Sequence, residues 1–127
     1  MSNVMMVNPA TLGPALFPYS QATRAGGFVF LAGQVALDAG NAVVAPGDAY
    51  EQTTVILDRM RVILSEFGLD LKAIASATVF VTSLEALPGF NRAWEEGFGT
   101  HRPARATVVA GLLLDGLVVE VQSIAVA

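Results

Sequence analysis

Two segments with helical periodicity, set among short runs of β-branched residues, constrain the fold of this chain most strongly. The first helix is predicted to start at Asp48, because an aspartate followed three residues later by Glu51 fits a variant of the capping box. Gly68 stands where a glycine commonly ends a helix. Between them, apolar side chains recur at the spacing of one helix face, namely Ile56, Met60, Ile63, Leu64 and Phe67.

The second helix is predicted over residues 87–98, because Phe90, Trp94 and Phe98 recur there every four residues. Pro88 falls in its first turn, where proline is tolerated. Runs rich in β-branched residues predict strands over residues 28–35, 74–81, 104–110 and 117–126.

The remaining segments are predicted from their turn residues. A cluster of Asp, Gly and Asn at 38–41 allows residues 42–45 to return as the second arm of a hairpin. Residues 1–25 are expected to form an extended arm with one short strand at 4–7. The expected order after the arm is β-β-α-β-α-β-β, which favours a single α+β domain over residues 1–127, with one sheet covered on one face by both helices.

Composition predicts a partner for the other face of this sheet. Apolar residues make up 54% of the chain and charged residues 14%, whereas about 25% charged is usual. One small core cannot bury so many apolar side chains, and large exposed apolar patches usually mark contact sites. A homo-oligomer is therefore expected, with the sheets of several copies closing around a common core.

Charge and residue usage disfavour several classes of function. The net charge is −4 and the seven Lys and Arg residues are scattered, so no basic stripe is present to bind nucleic acid. The chain has no Cys and a single His, which excludes disulfides and thiolate zinc sites. We recognise neither a signal peptide nor an apolar stretch long enough to span a membrane, and therefore expect a cytoplasmic protein without a membrane partner.

Two charged residues inside apolar strands are the main candidates for chemistry. Arg105 lies near the start of one predicted strand and Glu120 lies in the middle of the last strand. They could be exposed residues or a structural ion pair with each other. Alternatively, the arginine binds a carboxylate with its two-pronged guanidinium while the glutamate orients or deprotonates a water molecule. Their spacing alone does not choose between these interpretations.

Three further residues have both a structural and a functional interpretation. Tyr19 could simply pack the arm against the domain, or line a binding cleft. Gly33 interrupts a strand, which indicates either a bulge or a close approach of ligand to the backbone. Asn91 could be an ordinary exposed residue of the second helix.

Taken together and in order, several short motifs resemble those of the RidA (YjgF) family, and the resemblance covers residues 8–127. The matching segments are 18–22 (PYSQA), 29–34 (VFLAGQ), 77–81 (ATVFV), 90–91 (FN), 102–108 (RPARATV) and 119–125 (VEVQSIA), together with Gln52 and Leu57.

This resemblance implies a chorismate-mutase-like α+β fold, assembled as a homotrimer with clefts between subunits. It implies hydrolysis of 2-aminoacrylate and related enamines or imines to keto acids and ammonia, with neither a metal nor an organic cofactor. Arg105 would bind the substrate carboxylate, Glu120 would position the attacking water and Tyr19 would line the cleft. Gly33 and Thr107 would contribute backbone groups, and Asn91 would support the site.

The chain departs from the family pattern at three places. Phe17 replaces a small glycine before Pro-Tyr, which is expected to alter the cleft mouth and the size of the substrate. Thr107 stands where many members have cysteine, and the loop at 112–116 lacks the usual leucine-proline turn. A non-catalytic trimer that binds small carboxylates, a deaminase of a larger substrate such as 2-aminomuconate, and a ribonuclease remain as alternatives, the last disfavoured by the acidic charge.

Overall fold

The structure, a computed structural model that describes residues 3–127, has six strands in one mixed sheet and two helices. The strands are β1 (Met5–Val7), β2 (Ala22–Ala25), β3 (Phe28–Gln34), β4 (Ile74–Val81), β5 (Ala104–Val109) and β6 (Val119–Val126). The helices are α1 (Ala49–Ser65) and α2 (Leu87–Phe98), and short 3-10 turns occupy Ala10–Leu12, Leu71–Ala73 and Leu84–Ala86.

The sheet has the order β1-β2-β3-β6-β4-β5, so β5 is an edge strand. β4 and β5 run parallel, because α2 carries the chain back between them, and the other neighbours are antiparallel. Both helices cover one face of the sheet. Their buried side chains share one core with inward residues of the strands, as Ile56 of α1, Phe90 of α2 and Val121 of β6 illustrate. The predicted two-layer α+β architecture is confirmed.

The ends of α1 confirm the capping pattern in the sequence. The Asp48 carboxylate accepts a hydrogen bond from the Glu51 amide at 3.0 Å, as an N-cap should. At the other end, Gly68 has a φ of +70° and the Leu69 amide donates to the Leu64 carbonyl, which closes the helix. The predicted apolar stripe faces the core, with Ile56, Met60, Ile63 and Leu64 buried and Phe67 packed beside them.

The face of the sheet opposite the helices remains apolar and exposed. Neighbouring strands place their outward side chains side by side there, since Phe28 pairs with Val126 and Phe30 with Ile124. Phe28, Phe30, Val108 and Val126 are each between 41% and 50% exposed. Exposed apolar side chains in this number on one sheet face are typical of a contact surface.

Two predictions for the strands differ from the structure in extent. Residues 42–44 do return antiparallel to residues 36–38, with the Asp38 amide donating to the Ala42 carbonyl and the Val44 amide to the Ala36 carbonyl, but they form an isolated bridge rather than a strand. The carbonyls of Val44 and Ala45 also accept hydrogen bonds from the Gln52 side chain, which turns the chain towards α1.

The N-terminal arm contains one more strand than predicted. β2 pairs with β3 in a tight hairpin, although its sequence, Ala-Thr-Arg-Ala, has a single β-branched residue. The strand predicted at 4–7 is confirmed as β1, shorter by one residue, and it pairs with β2. No helix within residues 3–127 is long and apolar enough to cross a membrane.

Candidate active site

Glu120 and Gly33 meet on the open face of the sheet, where β6 lies beside the end of β3. The ladder between these strands shifts register between Leu31 and Gln34, so Gly33 lies in a bulge. A Cβ atom at position 33 would overlap the Glu120 carboxylate. The predicted bulge is confirmed, and the missing side chain also makes room for the Glu120 carboxylate; the approach of a ligand to this backbone stays a prediction. Partial burial raises the pKa of the Glu120 carboxyl.

A cavity of about 290 Å³ opens in front of this pair. Phe17 and Tyr19 come to it from the loop before β2, and both are partly exposed. The rest of its wall is mostly aliphatic. The lining residues are Leu16, Phe17, Tyr19, Ala32, Gly33, Val35, Leu37, Leu113, Leu114, Leu117, Glu120 and Gln122. Glu120 is the only one of these that carries a charge. The cavity therefore offers a carboxyl group and a phenol within an apolar wall.

Arg105 lies elsewhere, on edge strand β5 against helix α2. Its NH2 donates a hydrogen bond to Asn91 Oδ1 at 2.9 Å. Its guanidinium carbon is 5.0 Å from the centroid of the Phe90 ring and 5.4 Å from that of Trp94, within the range of cation–π attraction. Partial burial lowers the pKa of Arg105, but arginine keeps its charge in proteins. The side chain is thus oriented by three contacts and still exposed to an incoming anion.

A shallow depression surrounds this arginine, lined by Asn91, Trp94, Glu95, Arg102, Pro103 and Arg105. Thr107 follows two residues later on β5 and is half-buried. Thr107 pairs with Val79 and Arg105 pairs with Ala77, and both partners are buried in the core beneath the helices. The side chains of Thr107 and Arg105 therefore also point to the helix side of the sheet.

The predicted site residues therefore form two separate groups within one subunit. Glu120 pairs with Phe80 on the open face, whereas Arg105 pairs with Ala77 on the helix face. One group contains Phe17, Tyr19, Gly33 and Glu120, and the other contains Asn91, Arg105 and Thr107. A structural ion pair between Arg105 and Glu120, one of the possibilities left open by the sequence, is excluded within the subunit because the sheet lies between them.

A buried polar chain behind the cavity was not predicted. Gln34 Nε2 donates to Gln21 Oε1 at 2.9 Å, and Arg59 Nε donates to Gln34 Oε1 at 3.1 Å. All three side chains are at most 7% exposed. The sequence does carry a signal for Arg59, since it lies three residues after Ile56 and four before Ile63, on the apolar stripe of α1.

The described side chains of the types that bind metal ions do not form a cluster. His101 contacts the Ile74 carbonyl at 2.8 Å rather than other ligand-type side chains. Within residues 3–127, no three His, Asp or Glu side chains lie close enough together to hold a metal ion.

The fold and the two groups define a class of protein: small α+β domains with an open apolar sheet face, an arginine on the edge strand and a glutamate on the opposite face. Comparison with known proteins identifies the class. The sequence signature of the endoribonuclease L-PSP family matches residues 11–127. The chain belongs to this family, which includes the RidA and RutC proteins, so the resemblance in the sequence is confirmed.

Individual relatives agree with this assignment. The chain is 35% identical over 120 residues to the 3-aminoacrylate deaminase RutC of Acinetobacter baylyi, covering 94% of this chain and 95% of the relative. A RutC family protein of Pyrococcus abyssi is 34% identical over 85% of each chain.

Solved structures support the fold. Yeast Mmf1 superposes with a TM-score of 0.89 at 30% identity, covering 98% of both chains. Escherichia coli TdcF, solved with bound serine, superposes with a TM-score of 0.86 at 26% identity, covering 97% of this chain and 98% of TdcF.

Proposed function

We propose that this protein hydrolyses reactive enamines or imines of small amino acids to keto acids and ammonia, at a site completed between two subunits of a homotrimer. The observation that carries the proposal is the position of Arg105 and Glu120 on opposite faces of one sheet. A single subunit cannot bring the two to one small substrate. Two subunits can do so if β5 of one subunit, which carries Arg105, lies against the cavity of the next, which holds Glu120.

The exposed apolar sheet face supports such an assembly. Phe28, Phe30, Val108 and Val126 would leave water on contact with another sheet, and burial of apolar surface contributes roughly 25 cal/mol per Å². Cyclic symmetry then repeats the same contact, so three subunits would create three equivalent sites.

In this proposal, Arg105 binds the substrate carboxylate. A guanidinium matches the two oxygens of a carboxylate with two parallel hydrogen bonds. The bond to Asn91 Oδ1 and the rings of Phe90 and Trp94 hold the group in one orientation before substrate arrives. Less conformational freedom is then lost on binding.

The reaction needs little more than positioning and proton transfer. An enamine first tautomerises to the imine, whose C=N carbon is electrophilic. Glu120 accepts a proton from water as the oxygen bonds to this carbon, and the protonated glutamate returns that proton to nitrogen. In the resulting carbinolamine, Glu120 takes the hydroxyl proton and passes it to the amino nitrogen. The C–N bond breaks as the C=O bond forms and ammonia leaves, so that imine and water give keto acid and ammonia. Partial burial raises the pKa of the Glu120 carboxyl, which makes its carboxylate a better proton acceptor than that of an exposed glutamate.

The cavity favours substrates with a small or apolar side chain. A second carboxylate would lie beside Glu120 in a wall without a lining cation, and like charges at short range repel. This argues against a dicarboxylate such as 2-aminomuconate. The RutC relative is named for 3-aminoacrylate, and TdcF was crystallised with bound serine. Both molecules are small and have a single carboxylate. The expected cytoplasmic location stays a prediction.

The decisive experiment combines two inactive variants. Arg105→Met and Glu120→Gln, carrying different affinity tags, are co-expressed and the mixed trimers are purified through both tags. Imine generated by an amino-acid oxidase is followed together with ammonia release. Each variant alone should lose activity at least about a hundredfold, since each lacks one half of every site. Every mixed trimer has one interface with both native residues, so about a third of wild-type activity should return.

The other outcomes are equally informative. Wild-type protein that releases ammonia no faster than buffer, yet binds small keto acids, would establish a non-catalytic carboxylate binder. Inactive single variants without recovery in the mixed trimer would show that the site is not shared between subunits. Arg102→Met is the matched control, because Arg102 lies in the same depression but pairs with Glu95 and should keep its activity.

A further inference from the structure

Arg59 on α1 is a buried cation without a carboxylate partner. Its side chain is 7% exposed, its Nε donates to Gln34 Oε1 at 3.1 Å, and its NH1 donates to the Leu37 carbonyl at 2.9 Å. No Asp or Glu within residues 3–127 forms an ion pair with it. A neutral side chain would fill the same space without the desolvation penalty of a charge, so the donors of Arg59 are expected to have a use.

The donors of Arg59 determine the orientation of the Gln34 amide. A guanidinium has no acceptor, so the oxygen of that amide must face it. The NH2 group then points the other way, where Nε2 donates to the Ala32 carbonyl at 3.2 Å and to Gln21 Oε1 at 2.9 Å. The reverse orientation would turn the amide oxygen towards the Ala32 carbonyl, which is also an acceptor. Arg59 therefore selects the orientation in which Gln34 binds Ala32.

Ala32 and Gly33 are the two residues that form the bulge of β3. The ladder to β6 is regular as far as Leu31 and resumes at Gln34, so the residues between them are displaced from it. The Ala32 amide donates to the Gln21 carbonyl at 2.9 Å, and the Ala32 carbonyl accepts from the Gln34 side chain. The shape of the bulge is thus fixed by two hydrogen bonds at its first residue, immediately before the glycine.

We infer that Arg59 is a positioning residue: by orienting the Gln34 amide, it holds the bulge in the shape that admits the Glu120 carboxylate. That carboxylate occupies the space that a Cβ atom at Gly33 would need, so a rotation of this backbone would displace it. Without a donor at position 59, the amide is free to turn over and release the Ala32 carbonyl. The inference deepens the proposed function and rests on it for the kinetic effect alone, since the position of Glu120 has a readout of its own.

The pKa of Glu120 reports the position of its carboxylate without an assay of activity. Burial raises the pKa of this carboxyl, so a carboxylate displaced from the bulge should titrate closer to an exposed glutamate. Carbon-13 NMR of the intact oligomer, labelled at the glutamate carboxyl carbons, follows the titration, and the signal missing in Glu120→Gln gives the assignment. Arg59→Met should lower the pKa of Glu120. In a Gly33→Ala background, where the carboxylate is already displaced, the same change should leave that pKa unaltered.

Kinetics and a conservative variant separate positioning from a loss of stability. In Arg59→Met, kcat for an oxidase-generated imine should fall about tenfold, because misplacement of a reacting group slows the chemical step. KM should change less than about twofold, since the substrate carboxylate is assigned to Arg105. Arg59→Lys keeps a donor for the Gln34 oxygen and should recover part of both kcat and the native pKa of Glu120. Partial unfolding would lower the apparent kcat and leave the pKa of the folded protein unchanged.

Arg61→Met is the matched control, since Arg61 lies on the same helix, is exposed and pairs with Asp58. Gln34→Met removes the amide itself and should also lower the pKa of Glu120, which provides a second variant if Arg59→Met does not fold. A native Glu120 pKa in the folded variants, or equal changes with and without the alanine in the bulge, would overturn the inference. Failure of both variants to fold would show a purely structural role and overturn it as well. The expected pKa changes in a protein that does not hydrolyse imines would refute the proposed function and leave this inference standing.

Discussion

The carboxylate of Glu120 occupies the space that a side chain at Gly33 would need. The two residues belong to neighbouring strands, and the bulge in β3 brings the backbone of Gly33 against the glutamate. The close approach of the Glu120 carboxylate to this backbone depends on the missing Cβ atom, and under the proposed function it sets the position of the proton-transfer group.

Gly33→Ala should therefore reduce kcat/KM about a hundredfold, because displacement of a reacting group by even 1 Å or so can have an effect of that size. Steady-state kinetics with an oxidase-generated imine measures it. The control is Gly27→Ala, where an added Cβ would meet nothing within 4 Å. Native kinetics in Gly33→Ala would mean that Glu120 does not work from its observed position.

Asn91 offers a test of how Arg105 is oriented. Loss of its hydrogen bond in Asn91→Ala should raise KM roughly threefold to tenfold with little change in kcat, the effect of one exposed hydrogen bond. Asn91→Asp should be worse, because the new carboxylate would pair with Arg105 and compete with the substrate. A KM for Asn91→Asp below that of Asn91→Ala would contradict the carboxylate-binding role. Glu95→Gln, in the same depression, serves as the control.

Local periodicity was sufficient to predict the elements that hold the site. The spacing of Phe90, Trp94 and Phe98 predicted α2, because all three pack into the core and Phe98 is the last residue of the helix. β2 escaped prediction because its four residues lack a strand pattern and gain their structure from pairing with β3.

The sequence alone could not predict that the candidate site residues form two groups on opposite faces of the sheet. Side chains alternate along β6, so Glu120 points to the face opposite that of its buried neighbours Val119 and Val121. The face to which Arg105 points, however, depends on the parallel register of β5 with β4. That register is a long-range property set by the crossover through α2. In contrast, the apolar surplus in the composition did predict the exposed sheet face, because burial in one small core has a limited capacity.

Phe17 should restrict the size of the substrate. Its ring stands in the cavity wall, so Phe17→Gly enlarges the space available to a substrate side chain. The ratio of kcat/KM for the phenylalanine-derived imine over the alanine-derived imine should rise about tenfold, within the usual range for changes of pocket volume. Parallel assays with both imines measure the ratio, and Leu84→Ala, at an exposed position outside the cavity wall, should not change it. An unchanged ratio in Phe17→Gly would place the substrate side chain elsewhere.

Gln52 should stabilise the fold, including the loop that forms part of the cavity wall. Its buried amide joins α1 to two loops, with Nε2 donating to the carbonyls of Val44, Ala45 and Gly116 at 3.3, 3.0 and 2.8 Å. Its Oε1 accepts from the Val118 amide at 2.9 Å. Gln52→Leu would leave these backbone groups without their partner in a buried setting, which is expected to reduce the free energy of unfolding by about 2–4 kcal/mol.

Urea denaturation at one fixed protein concentration measures this loss, since the stability of an oligomer depends on concentration. Thr54→Val, which removes a single bond within the same helix, is expected to change stability by less than about 1 kcal/mol. The loop that ends at Gly116 carries Leu113 and Leu114 into the cavity wall. Folded Gln52→Leu protein should therefore also show a higher KM, whereas a variant as stable as the wild type would show that water replaces the amide.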